Sequence, residues 1–217
     1  MPIPEGAVLL SFPFHGTWRV ENSPARRVPS HGTEAFGVSH AIDFVAVDEG
    51  NRSAPRTWRT WRTWVGVEAP DGFLGFGQPV LAPVAGEVLA VHDAEPDHGA
   101  RRSPVRLAGY ALGQAGRARR GIRGLAGNHV AIALAPAGPV VLLAHLRQGS
   151  ARVRPGQQVE AGAPLGECGN SGNSTEPHVH LQVSDSMDGI TARGMPLAFR
   201  GPDGRAWVPD EGEIVRC

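Results

Sequence analysis

The chain has 217 residues, of which 41% are hydrophobic and 19% charged, and its formal net charge is zero. This composition is typical of a folded globular protein and excludes a disordered chain. Zero net charge gives no support for a general attraction to nucleic acid or to an anionic membrane surface, and we expect no nucleic-acid partner. The 29 glycines and 19 prolines favour many short strands and turns over long helices.

The amino-terminal residues bear on where the protein works. Residues 1–14 have no basic segment, and Pro13 interrupts their short apolar stretch. These features are typical neither of a signal peptide nor of a membrane span. Two locations therefore stay open: the cell envelope or the outside of the cell if a leader has been removed, and the cytoplasm otherwise.

Short apolar runs separated by turn residues predict β-strands along most of the chain. No stretch has a sustained helical period with caps at both ends, so we predict an all-β fold. The predicted strands cover 41–47, 79–91 (two strands around a turn), 128–134, 139–145 (a hairpin with the preceding strand), 153–166 and a run that begins at His178.

Two segments do not fit this pattern of strands. Residues 52–64 contain Arg-Thr-Trp three times, which places Trp58, Trp61 and Trp64 three residues apart with arginines between them. Indole and guanidinium planes stack, so this repeat is either a ligand platform or a duplicated loop that covers the edge of the core. Residues 94–127 form a long connection rich in Arg, Gly and Ala, which is typical of a lid, a binding insertion or a disordered segment.

The run His178-Val179-His180 carries the clearest indication of chemistry. Histidines two residues apart on a strand project from the same face, because side chains alternate with a period of two. Two neighbouring imidazoles suit a metal ion, whereas a bare pair of this kind is more often found on an ordinary protein surface. Here a Gly/Asn/Ser turn precedes the pair, and His145 ends another apolar run. Together these features favour a functional site.

An ordered set of motifs extends this observation over much of the chain. Its members are 41–44, 83–88, 127–130, 144–146, 153–166 and 169–180. In this order they resemble the LytM/lysostaphin-type zinc metalloendopeptidases, which cut peptidoglycan. The resemblance implies twisted antiparallel sheets with a groove, of the duplicated hybrid-motif or barrel-sandwich type. We expect a single domain over 1–217 with its core at about 38–185 and long insertions at 49–75 and 94–127.

The resemblance also implies roles for individual residues, taken position by position. It implies Asp43 and His180 as zinc ligands, and His145 and His178 as catalytic histidines that do not bind the metal.

The first motif of the family is His-x-x-x-Asp, and here the chain departs from it. Ser39 stands at the position of the family's histidine, and His40 lies three residues before Asp43. Positions three apart on a regular strand face opposite sides, so His40 reaches the metal only if the strand begins after it or contains a bulge. We predict His40, Asp43 and His180 as the metal ligands, with His31 in the preceding loop as the alternative to His40.

Such a site predicts a hydrolase. Zinc held by two histidines and one aspartate keeps a fourth position for water, and zinc can lower the pKa of that water to about 7. His145 and His178 would orient the water, stabilise the developing oxyanion or pass a proton to the leaving amine. We predict a zinc endopeptidase acting on peptidoglycan stem peptides or cross-bridges. The alternative is a catalytically degenerate domain that binds and regulates a cell-wall hydrolase.

Overall fold

The computed structural model describes residues 3–54, 68–101, 116 and 121–217. Short strands dominate these ranges, which confirms the all-β prediction. The strands are β1 (Val8–Ser11), β2 (Thr17–Glu21), β3 (Ile42–Ala46), β4 (Pro79–Leu81), β5 (Gly86–His92), β6 (Asn128–Ala133), β7 (Val140–Leu146), β8 (Gln158–Val159), β9 (Pro164–Glu167), β10 (Val179–Ser184), β11 (Leu197–Arg200), β12 (Ala206–Trp207) and β13 (Ile214–Arg216). The helix α1 covers Gly121–Ala126, and 3-10 helical turns cover Ala35–Gly37 and Pro70–Gly72.

An eight-stranded sheet forms the body of the protein. Its strand order is β13-β2-β3-β10-β7-β6-β5-β8, and every neighbouring pair in it is antiparallel. Two smaller sheets, β1-β11-β12 and β4-β9, pack beside it. Strands β2 and β13 lie outside 38–185, so the sheet that carries the predicted site residues extends beyond the stretch of family resemblance.

The two faces of the large sheet have different neighbours. On β10, Val179, Leu181 and Val183 are fully buried in the main hydrophobic core. Alternation along the strand therefore turns His180 and Gln182 to the opposite face, where a second, smaller apolar cluster lies. This second face forms the floor of the groove described below.

Much of the two predicted insertions falls outside the described residues. Trp58, Trp61 and Trp64 of the Arg-Thr-Trp repeat lie there, as do residues 102–115 and 117–120 of the second insertion. The described parts of that insertion are the segment 94–101, residue 116, and the helix α1 with the residue after it. No helix in the described part of the chain is long and apolar enough to cross a membrane.

Candidate functional site

Strands β3 and β10 place Asp43 and His180 side by side. The two residues are cross-strand partners in the antiparallel pair, and His180 Nδ1 lies 2.8 Å from Asp43 Oδ1. Both side chains are buried. The second carboxylate oxygen, Asp43 Oδ2, accepts a hydrogen bond from Asn22 Nδ2 at 2.8 Å and lies 3.2 Å from His31 Nε2. The register of the sheet thus fixes two of the predicted ligands, and loop residues surround the carboxylate.

His31 completes a group of three with Asp43 and His180. Atoms of these residues that could bind a metal lie within 4.8 Å of one another. The Ser30 hydroxyl donates to Ala41 O at 2.7 Å, so its oxygen is left to accept from His31 Nδ1 at 3.0 Å. A proton on Nδ1 leaves the lone pair of His31 Nε2 facing the carboxylate.

His40 lies outside this group. Strand β3 begins at Ile42, so strand alternation does not constrain the His40 side chain. A turn closed by Ala41 N–H to Val38 O precedes the strand, and His40 contacts the Ser39 hydroxyl at 3.2 Å. The group of candidate ligands among the described residues thus contains His31, the alternative named from the sequence, and not His40.

Two further histidines border the same groove. The ring centroids of His145 and His178 lie 4.7 Å apart. His145 Nδ1 donates to Ser171 O at 2.9 Å, and His178 Nδ1 donates to Glu176 O at 2.8 Å. Because a carbonyl oxygen only accepts, both rings carry a proton on Nδ1, and in the neutral rings Nε2 is free to accept a proton.

A β-bulge turns His145 into the groove. Regular alternation along β7 would point Ala144 and His145 to opposite faces, and Ala144 already belongs to the cluster on the groove side. The pairing of β6 with β7 shifts its register here, so that His129 lies opposite both residues, and His145 has a φ of 62°. This left-handed conformation costs a non-glycine residue about 1–3 kcal/mol, and it brings the imidazole to the face of His180.

The electrostatics of the site favour a cation. Burial raises the pKa of Asp43, but the nearby imidazoles of His31, His178 and His180 outweigh it and hold that pKa well below its usual value. Burial lowers the pKa of His145 well below the usual histidine value, and the charges of His178 and His180 lower it further. At neutral pH an ionised carboxylate therefore faces a neutral His145.

The groove over these residues has a volume of about 300 Å³. The five site residues that border it are His31, Asp43, His145, His178 and His180. Its walls are mainly apolar, with Phe36 and Val38 on one side and Ile122 and Leu125 of α1 on another. The second insertion thus contributes a wall of the groove.

The turn that precedes His178 packs against the residue that follows α1. Gly127 has a φ of 60° and Gly172 a φ of 68°, and a Cβ atom added at Gly127 would lie 2.6 Å from the Gly172 backbone nitrogen. Only glycine allows this approach, because the neighbouring atoms belong to the backbone and cannot rotate away. The contact holds the turn whose Ser171 carbonyl accepts the hydrogen bond from His145.

We expect Gly127→Ala to lower the free energy of unfolding by about 2–4 kcal/mol. This loss is the sum of the strain of a left-handed backbone at alanine and the cost of overpacking by the added Cβ. Gly149→Ala is the matched control, since Gly149 has a φ of 72° but nothing within 4 Å of the added Cβ. The control should cost about 1–2 kcal/mol through the backbone alone. Urea unfolding of both variants measures the difference, and equal losses would show that the close approach contributes nothing.

The family of the chain follows from its sequence match. Residues 70–191, more than half of the chain, match the model of peptidase family M23. The chain belongs to peptidase family M23. This membership confirms the resemblance to the LytM/lysostaphin-type endopeptidases. No protein of curated function matches the chain.

Solved structures of M23 proteins are similar to this chain. The lysostaphin catalytic domain from Staphylococcus simulans is 18% identical, with 75% of this chain and 80% of that chain covered and a TM-score of 0.40. A mutant catalytic domain of the prophage-encoded M23 protein EnpA from Enterococcus faecalis is 18% identical. The match covers 90% of this chain and 92% of the EnpA domain, with a TM-score of 0.41. A Pseudomonas aeruginosa structure described as a peptidase M23 is 24% identical, with 51% and 35% covered and a TM-score of 0.32. The match thus spans about a third of the Pseudomonas protein.

Proposed function

We propose that this M23 family member is a zinc-dependent endopeptidase that hydrolyses peptide bonds in peptidoglycan stems or cross-bridges. The ligands in this proposal are His31, Asp43 and His180. The observation that carries it is the convergence of two imidazole nitrogens on one buried carboxylate, at 3.2 Å for His31 and 2.8 Å for His180. Two histidines and a carboxylate form a donor set typical of catalytic zinc.

The hydrogen bonds around the cluster support this fit. The Ser30 hydroxyl places the His31 proton on Nδ1, so that the Nε2 lone pair and a carboxylate oxygen face each other. Two such acceptor atoms repel unless a cation lies between or beside them. Asn22 holds the same carboxylate from the other side. The chain thus supplies both the donor atoms and the outer hydrogen bonds that orient metal ligands.

The proposed mechanism assigns separate tasks to the other two histidines. When bound, zinc acts as a Lewis acid and lowers the pKa of a water molecule at its open position to about 7. His145 is placed to accept a proton at Nε2, because burial keeps the ring neutral and Ser171 O holds its Nδ1–H. His178, whose Nε2 lies 3.8 Å from Asp43 Oδ1, could in its doubly protonated form donate from Nε2 to the developing oxyanion or to the leaving amine.

Peptidoglycan as substrate rests on the family and on the motif resemblance. The groove has a volume of about 300 Å³, with apolar walls beside the polar site residues, and this size and lining suit a peptide substrate. The regulatory alternative rested on the altered first motif, in which Ser39 replaces the family's histidine. His31 weakens that argument, because it supplies an imidazole to the cluster from a different position.

Comparison of His31→Ala with His40→Ala tests the proposal. We expect His31→Ala to lower zinc affinity by more than 100-fold, since loss of a ligand should exceed the 10- to 100-fold cost of an outer-shell change. His40→Ala is the matched control and should change the affinity little. Chelator competition measures the affinities, and release of amino groups from purified peptidoglycan measures hydrolysis.

The two variants also separate the alternatives. Unchanged zinc affinity in His31→Ala with a large loss in His40→Ala would restore the ligand set predicted from the sequence. Wild-type affinity in both variants, with no hydrolysis by the wild-type protein, would contradict the endopeptidase proposal and favour the regulatory function.

A further inference from the structure

We infer that Gln182 is a positioning residue: it fixes the tautomer of His180 that leaves Nδ1 available to the metal, and it joins the loop of His31 to β10. The inference rests on the proposed function, because it assigns a role at the same metal site. Gln182 is buried at 5% exposure and lies two residues after His180 on the same face of the strand.

The orientation of the Gln182 amide follows from its two hydrogen bonds. Its Nε2 group donates to Phe36 O at 2.8 Å, and a backbone carbonyl can only accept. The other end of the amide, Oε1, therefore faces His180 Nε2 at 3.1 Å. Since Oε1 carries no proton, His180 Nε2 must donate. The neutral His180 ring then has its lone pair on Nδ1, directed at Asp43 Oδ1.

This arrangement opposes a competing state. Without an acceptor at Nε2, the neutral His180 ring could place its proton on Nδ1 and donate it to the Asp43 carboxylate. Such a bond to an ionised acceptor is roughly twice as strong as one between neutral groups. It would occupy the nitrogen and the carboxylate oxygen that a metal needs. The acceptor oxygen of Gln182 shifts the balance to the tautomer that binds metal.

The second hydrogen bond of Gln182 reaches the loop that carries His31. Phe36 has a φ of 64°, and Gly37 packs so closely on β10 that an added Cβ would lie 2.8 Å from the Ser184 Cβ and 3.1 Å from Gln182 Nε2. The loop is closed at its base, where the Ser30 N–H donates to Ser39 O at 2.8 Å. A single amide therefore contacts a proposed ligand on one side and the loop of another ligand on the other.

The test compares three variants of the full chain. Gln182→Leu has a similar size and removes both hydrogen bonds. Gln182→Glu is the conservative variant, because it keeps an acceptor oxygen for His180 Nε2. Ser184→Ala is the matched control, since Ser184 is buried on the same face of β10 and donates instead to Ser186 O. Thermal unfolding of the zinc-free proteins checks that each variant folds.

We expect Gln182→Leu to lower zinc affinity by 10- to 100-fold, as is typical for loss of an outer hydrogen bond to a ligand. Gln182→Glu should restore most of the affinity, and Ser184→Ala should leave it unchanged. In the zinc-free protein, ¹⁵N NMR of His180 should show the Nε2–H tautomer in the wild type and the Nδ1–H tautomer in Gln182→Leu. A purely structural role would change the unfolding temperature without changing the tautomer.

Wild-type zinc affinity together with the Nε2–H tautomer in Gln182→Leu would overturn the inference. Equal losses of affinity in Gln182→Leu and Ser184→Ala would also count against it, because the effect would then not be specific to the amide. If the wild-type protein binds no zinc, the proposed function fails. The NMR measurement on zinc-free protein still decides whether Gln182 sets the His180 tautomer.

Discussion

His180→Ala and Asp43→Ala should each abolish the binding of the single zinc ion that we expect per chain. Two remaining protein ligands are too few to hold the ion at neutral pH, because catalytic zinc is typically held by three. Asp43→Asn should have the same effect, since it keeps the shape of the side chain and its contact with Asn22 but loses the negative charge. Elemental analysis of protein purified without added metal measures the occupancy.

The matched control for this experiment is His129→Ala. His129 is a buried histidine of the same sheet that hydrogen-bonds to Gly127 O and does not belong to the cluster. The His129→Ala variant should keep its zinc. Full zinc occupancy in His180→Ala or in either Asp43 variant would show that the ligands are misassigned.

His145→Ala and His178→Ala should keep the metal and lose most of the hydrolytic rate. Both side chains border the groove without belonging to the group of three that could hold an ion. Loss of a general acid or base typically costs 100- to 10,000-fold in rate. Zinc occupancy and the turnover of purified peptidoglycan, measured on the same preparations, separate the two properties.

The double variant, in which His145 and His178 are both replaced by alanine, tests whether the two histidines act together. If His145 and His178 act in one proton-transfer sequence, the loss in the double variant should be much smaller than the product of the two single losses. Loss of zinc from either single variant would instead make that histidine a ligand. In that case the division between metal-binding and catalytic residues would have to be redrawn.

Alternation on β10 could be predicted from the sequence, and it determines much of the site. The period of two places His180 and Gln182 on one face because Val179, Leu181 and Val183 must be buried on the other. The position of His178 does not follow from this alternation, since the strand begins one residue after it. It still borders the groove, because its Nδ1 bonds to the turn that leads into the strand.

The positions of His145 and His31 could not be predicted from such a pattern in the sequence. The bulge at His145 is a change of register between β6 and β7, and neighbouring residues in the chain do not encode it in an obvious way. His31 lies in a loop, where no periodicity relates it to Asp43, so its position depends on tertiary contacts of Ser30. Strand β2 could have been found, because Trp18 and Val20 alternate with polar residues over Thr17–Glu21. That strand leads into Asn22, the hydrogen-bond donor to Asp43.

The three proposed ligands differ in how freely evolution can move them. Asp43 and His180 are tied to each other by cross-strand pairing, so shifting either by one residue would turn its side chain into the hydrophobic core. His31 instead belongs to a loop that is closed at residues 30 and 39, and a loop can change in length without disturbing the sheet. In the proposed ligand set, the loop therefore supplies the imidazole that the first motif lacks, while the sheet supplies the other two ligands.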